Sequence, residues 1–230
     1  MARILYILEE FLKEVEHSNP YGLVLKGGTA LSLYCLNNHR ESEDLDFDSD
    51  ISNKGKHKEI ERYFIGILEK LKEKQVIKDF RQGKSGLAST NRYHMKLELE
   101  THKKFQTKID VDFVELPNTL KRKGELCLYS KERAFITKML TFTNRKEFKD
   151  MYDIACLLPK IDTKPFIRNR NVIGLIDDIL AIIEKEEILI LYKSAFRNVD
   201  LRFKDLKQHQ LGSFVSKLVK DLRILRNKLS

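Results

Sequence analysis

Asp44-Leu-Asp-Phe-Asp48 is the segment of this sequence best able to do chemistry. Residues two apart on a strand share a face, so Asp44 and Asp46 converge while Leu45 and Phe47 enter the core. Adjacent carboxylates repel, and a cation between them relieves the repulsion. Magnesium is the usual choice where phosphates complete its coordination. The competing reading is an exposed acidic strand that discourages edge pairing. Asp48 continues the same face, and Asp50 extends the acidity. A second alternation, Lys108-Ile-Asp-Val-Asp-Phe-Val-Glu115, sets Ile109, Val111 and Phe113 against Asp110 and Asp112. Were that strand to carry a third carboxylate beside Asp44 and Asp46, a two-metal site would result. One ion would hold a triphosphate and the other would activate an attacking hydroxyl. Gly27-Gly28-Thr29 is the third feature. A strand that ends in two glycines and opens a helix presents backbone N–H groups to phosphate, or is simply a tight turn.

These residues need elements to hold them. An amphipathic helix starts the chain and stops at Ser18-Asn-Pro-Tyr-Gly22. Leu23–Lys26 reads as a short strand, Thr29–Leu36 as a helix, Asp44–Asp48 as a strand and Ile60–Leu71 as a helix. Strands are expected at Val76–Phe80, Tyr93–Glu100 and Lys108–Glu115, with a turn at Arg81–Gly86. His94, Lys96, Glu98 and Glu100 share the wet face of the middle strand. From about Ser130 the pattern is helical, broken at Pro159–Pro165. The fold class is therefore α+β: a mixed sheet in a domain over 1–128, then an all-helical domain over 129–230. Lys138 lies among Phe135, Met139 and Phe142, where a lysine can lay its stem on the core and snorkel. Lys149 and Asp153 have the spacing of an ordinary helical ion pair. The six histidines have no ligand spacing and read as surface residues. Tyr34 and Tyr152 fall at core positions.

Leu25-Lys-Gly-Gly-Thr-Ala-Leu31 followed by Arg40-Glu-Ser-Glu-Asp-Leu-Asp-Phe47 resembles the signature of AbiEii/AbiGii-type toxin nucleotidyltransferases. These belong to the wider DNA polymerase β-like nucleotidyltransferase superfamily. Glu132–Lys138 and Arg145–Asp153 resemble the family's helical motif, so the likeness runs from about Leu23 to Leu158. The resemblance implies a nucleotidyltransferase fold whose helical domain completes the active-site cleft. It further implies that Gly27, Gly28 and Thr29 cradle the triphosphate and that Asp44 and Asp46 bind magnesium, or manganese in its place. Asp110 aligns better than Asp112 with the third acidic position. Lys138 would contact phosphates, Asp150 would complete the nucleotide site, and Arg40 and Ser42 would support the acidic strand by hydrogen bonds. Two departures stand out. The 15 residues from Thr29 to Glu43 exceed the commonest spacing. From about Asp162 onward no motif can be placed, which leaves the acceptor open.

The expected activity is transfer of a nucleoside monophosphate from a nucleoside triphosphate to an acceptor hydroxyl. The acceptor implied is RNA such as tRNA, in a toxin–antitoxin or phage-defence system with an antitoxin or operon partner. Alternatives are a GTP- or ATP-binding regulator without turnover, and a small-molecule (antibiotic) nucleotidyltransferase. Three converging acids disfavour the first, and the basic C-terminal half disfavours the second. The 230 residues carry a net charge of +9, and Lys193–Lys228 holds 10 Lys or Arg against 3 Asp, or +7. Such a surface attracts phosphate backbones or is a solvated helix face. Arg168, Arg170 and Arg202 are candidate nucleic-acid contacts. No apolar run nears the roughly 20 residues that cross a bilayer. Three separated cysteines suggest neither disulfides nor zinc, so a cytoplasmic setting is expected.

Overall fold

The computed structural model describes residues 4–185, 188–190, 203 and 206–230. The chain forms two compact units, Met1–Tyr34 with Glu41–Ser130, and Cys35–Arg40 with Lys131–Ser230. The first has a seven-stranded mixed sheet. Its strands are β1 (Val24–Lys26), β2 (Leu45–Asp50), β3 (Asp79–Ser89), β4 (Arg92–Glu100), β5 (Lys104–Val114), β6 (Lys121–Lys123) and β7 (Leu126–Leu128). They lie in the order β3-β4-β5-β2-β1-β7-β6. β2 pairs parallel with β5 and β1 parallel with β7, while the other pairings are antiparallel.

The apolar residues of β2, β4 and β5 face helices α1 (Ile4–His17) and α3 (His57–Glu73) in one core. Phe64 of α3 sits between Phe11 of α1 and Phe47 of β2, each 5.8 Å away by ring centroid. Leu45, Phe47, Ile109, Val111 and Phe113 are all fully covered. That burial fixes the register, because a one-residue slip would send these side chains to water and the aspartates into the core.

Two departures from the sequence pattern have local causes. Val76 and Ile77 do not begin a strand. Gln75 adopts φ +58, and the Val76 N–H donates to the Leu71 carbonyl at 2.9 Å. This is a left-handed helix stop with a following apolar contact. β3 instead runs from Asp79 through the glycine-containing stretch expected to turn, with a register shift between Gln82 and Ser85. β6 and β7, three residues each, are too short for periodicity to show, and β6 is wholly charged. Gly124, at φ +56, joins them where any side chain would strike the Glu16 carbonyl.

The second unit is helical, with α4 (Lys131–Arg145), α5 (Phe148–Leu157), α6 (Arg170–Ile183) and α7 (Leu211–Leu229). Short 3-10 turns at Leu158–Lys160 and Lys164–Phe166, each opened by a proline, make the expected break. On α7, Arg223 pairs with Glu184 and Arg226 with Asp177, so part of the basic face is used within the unit. Arg168 and Arg170 are exposed; Arg202, with the earlier part of the basic stretch, lies outside the described residues. Among the described residues no helix is long and apolar enough to cross a membrane.

Candidate functional site

The parallel pairing of β2 with β5 sets Asp46 opposite Asp110 and Asp48 opposite Asp112. Facing residues in a ladder share a side, so four carboxylates from two strands occupy the face away from the core. β1 adds Lys26 opposite Asp46, and β4 adds His94 opposite Asp110 and Arg92 opposite Asp112. Two rows result. The front row holds Lys26, Asp46, Asp110 and His94, with Asp44 just before β2, which begins at Leu45 rather than at Asp44 as expected. The rear row holds Asp48, Asp112 and Arg92.

The rear row is neutralised by the protein itself. The Lys26 ammonium reaches back to Asp48 at 2.5 Å and Asp112 at 2.6 Å. Arg92 grips Asp112 through both carboxylate oxygens at 2.5 and 2.8 Å. The Tyr129 hydroxyl donates to Asp48 at 2.6 Å. Burial would raise the Asp112 pKa, but the bonds from Arg92 and Lys26 outweigh it and hold the acid below its ordinary range.

In the front row Asp110 is bound by His94 Nδ1 at 2.5 Å and by Lys108 Nζ at 2.8 Å. The Lys108 ammonium also lies 3.8 Å from Asp44. Asp110 is accordingly lowered in pKa, its burial being outweighed by Lys108 and His94. Asp44 is raised, chiefly by burial; Lys108 opposes the shift, and the charges of Asp46 and Asp110 add to it. Of the two acids on β5, geometry places Asp110 beside Asp46 and gives Asp112 to Arg92 and Lys26.

Gly27 and Gly28 open a short helix, α2 (Gly27–Ala30), which continues as a π-turn over Leu31–Cys35. Gly27 has φ +74, and a methyl group there would run into the Asp46 carboxylate. Backbone and acid can be this close only because residue 27 lacks a side chain. Thr29 is buried, and its hydroxyl donates to the Asp44 carbonyl at 2.5 Å and lies 2.9 Å from the Ser42 hydroxyl. Thr29 and Ser42 therefore tie down the entry to β2. The Thr29 hydroxyl is committed there, so a phosphate contact from Thr29 falls to its backbone N–H.

The remaining predicted residues gather in the helical unit. Lys138 is 6% exposed. Its ammonium does not snorkel to water but binds Asp150 at 3.0 Å and Asp153 at 2.8 Å. Arg145 binds Asp150 through both oxygens at 2.6 and 2.9 Å. Asp153 does not use Lys149, which pairs with Glu147. It takes Arg40 through both oxygens at 2.7 and 2.8 Å, and His39 at 2.7 Å. The Tyr152 ring stacks on His39 at 5.7 Å, and its hydroxyl donates to the His39 carbonyl. Arg40, expected to support the acidic strand, is here bound to Asp153 of the helical unit. His39 and His94 are not the surface residues their spacing suggests. One is buried against an acid and the other faces Asp110, and both partners lie far away in sequence. Lys26, His94, Lys108 and His39 were missed as site residues; only the position of His94 and Lys108 on the same faces as the acids signalled them.

Among the described residues, no group of three or more His, Cys, Asp or Glu side chains is arranged to hold a metal ion. Magnesium does not require one, since it commonly binds through one or two carboxylates plus substrate phosphates. Asp44 and Asp46 with the neighbouring Asp110 suit that mode, and a lysine ammonium already sits between two of them. The donor set fits the ion.

Residues 7–223 match the family model described as nucleotidyl transferase AbiEii toxin, type IV toxin–antitoxin system. No curated protein sequence matches the chain. Among solved structures it is similar to JHP933 from Helicobacter pylori, at 18% identity over 97% of this chain and 90% of that one, with a TM-score of 0.64. MenT4, a nucleotidyltransferase toxin from Mycobacterium tuberculosis, is similar at 16% identity over 96% and 82%, with a TM-score of 0.58. At such identities the likeness is one of fold.

Proposed function

Because the chain belongs to the AbiEii nucleotidyl transferase toxin family, we propose that it moves a nucleoside monophosphate from a nucleoside triphosphate to a hydroxyl of an RNA such as tRNA, with magnesium, in the cytoplasm. The observation that carries this reading is the β2–β5 register, which puts Asp46 beside Asp110 with the Gly27 backbone against Asp46. A displacement at phosphorus needs positioning and charge neutralisation more than covalent help. Gly27 and Gly28, with the Thr29 N–H, would bind the triphosphate. Asp44, Asp46 and Asp110 would hold magnesium, which supplies charge neutralisation at the phosphates and acidifies the attacking hydroxyl. His94 orients Asp110, and Thr29 and Ser42 hold the backbone of Asp44 in place. Lys138 and Asp150 are assigned to the nucleotide on the motif alone. For Lys138 this requires exchange of a carboxylate partner for a phosphate. The net charge of +9 suits an RNA acceptor, and the family implies an antitoxin encoded alongside.

The test is incubation of purified protein with total cellular RNA, magnesium and each α-labelled nucleoside triphosphate in turn. Label is expected in an RNA band, and it should fall at least a hundredfold in the Asp44→Ala, Asp46→Ala double variant. Nucleotide binding without any transfer to RNA would leave a non-turning-over binder or a different acceptor.

A further inference from the structure

Lys108 lies on β5 just beyond the front row, beside Asp44, and no motif accounts for it. It stands on β5 two residues before Asp110, on the same face, with its ammonium 2.8 Å from Asp110 and 3.8 Å from Asp44. Asp110 stands on β5 and Asp44 immediately precedes β2, so the ammonium lies between acids of two chain segments, bonded to Asp110 and in looser reach of Asp44. Its side chain is 39% exposed, so it can withdraw into water without disturbing the core. Directly across the ladder on β4 is Lys96, a like charge that disfavours crowding at that position. The rear row is built differently: there Lys26, more enclosed at 24% exposure, is bound by both acids at short range.

From this contrast we infer that Lys108 is a resident counter-cation of the front row, a positioning residue that holds Asp44 and Asp110 together and competes with a divalent ion for them. The inference rests on the proposed metal-binding role of these acids. A free divalent ion must then overcome an ammonium already in place, and it binds weakly on its own. A nucleotide that arrives with its ion brings phosphate oxygens for the ammonium to turn to. Lys108 thereby favours loading of the ion together with the triphosphate over loading of the ion alone. A wholly structural Lys108 would give the opposite result on removal, since loss of the bridge would loosen the acids and weaken ion binding.

The experiment is titration of the full chain with Mn2+ alone, no nucleotide present, with free Mn2+ read by electron paramagnetic resonance. Wild type, Lys108→Met and Lys108→Arg are compared, each checked for native circular dichroism. Lys108→Met keeps the stem and removes the charge, and it should bind Mn2+ at least tenfold more tightly than wild type. Lys108→Arg should stay within about threefold of wild type. Adding Asp44→Asn and Asp46→Asn to Lys108→Met should abolish the gain. Equal or weaker Mn2+ binding by Lys108→Met, with binding still dependent on Asp44 and Asp46, would overturn the counter-cation role and leave the metal site intact. Absence of Mn2+ binding by Lys108→Met without nucleotide, where Mn2+ is bound once a nucleoside triphosphate is added, would overturn the counter-cation role alone; no Mn2+ binding with the nucleotide present, or binding indifferent to Asp44 and Asp46, would overturn both the role and the metal site it rests on.

Discussion

Gly27 is where backbone and acid meet most closely. Its φ of +74 costs a side-chain-bearing residue about 1–2 kcal/mol, and its missing side chain leaves the space that the Asp46 carboxylate fills. Gly27→Ala should therefore show two separable effects. Urea unfolding should report a stability loss of about that size, and nucleotidyl transfer should fall far more, by at least a hundredfold, because Asp46 is pushed from its place. Activity that falls only in step with the folded fraction would show that the glycine serves the turn alone. At this scale the acids were legible in the sequence, since alternation with Leu45, Phe47, Ile109 and Val111 puts them on one face whatever the partners. Their counter-charges were not. Lys26, Arg92 and His94 reach their acids through strand register, which depends on which strands become neighbours. The choice between Asp110 and Asp112 has the same origin: either suits the alternation, and only pairing with β2 sets Asp110 beside Asp46.

At the scale of elements, α4 and α5, which bury Phe135, Phe142 and Met151, are joined by charges as well. Asp153 is fully buried. Burial alone would raise its pKa, yet Lys138, Arg40 and His39 hold it well below the usual carboxylate range. A carboxylate depressed on folding contributes stability that is complete above its unfolded value, near about pH 4, and lost as pH falls toward the folded value. Asp153→Asn should thus cost about 3–5 kcal/mol at neutral pH, as breaking a buried ion pair from one side does. The gap from wild type should narrow as pH is lowered from about 4 to about 2. Urea midpoints for both proteins across that range decide it; a gap that stays constant would mean that Asp153 is not ionised in the folded chain. Helix α5 itself was legible from its apolar spacing, and so were the break at Pro159–Pro165 and the core place of Tyr152. The partners of Asp153 were not, because the near spacing of Lys149 is satisfied instead by Glu147.

For the molecule as a whole, the chain does not pass from one unit to the next once, as the smooth change of pattern near residue 129 suggests. It leaves the first unit after Tyr34, contributes Cys35–Arg40 to the helical unit, and returns at Glu41. The expected helix over Thr29–Leu36 runs straight into the detour and the residues after it are too few to show a pattern, so the sequence does not mark this change of unit even though Arg40 was noted. Its consequence is energetic. Among the described residues three side chains meet Asp153: His39 and Arg40 come from the detour, and Lys138 belongs to the helices. A fragment of residues 131–230 would therefore bury Asp153 with a fraction of its compensation, and an under-compensated buried charge is destabilising. A fragment of residues 1–130 keeps its whole apolar core, since every member lies within it. The 1–130 fragment is expected to unfold cooperatively in urea, and the 131–230 fragment to do so weakly or not at all at neutral pH. The decisive comparison is Asp153→Asn in two settings. In the full chain it should destabilise strongly; in the 131–230 fragment its cost should shrink to near zero or change sign, because the acid it removes has lost most of its partners. An equal cost in both settings would show that Lys138 alone stabilises Asp153, and that the detour contributes nothing to the helical unit.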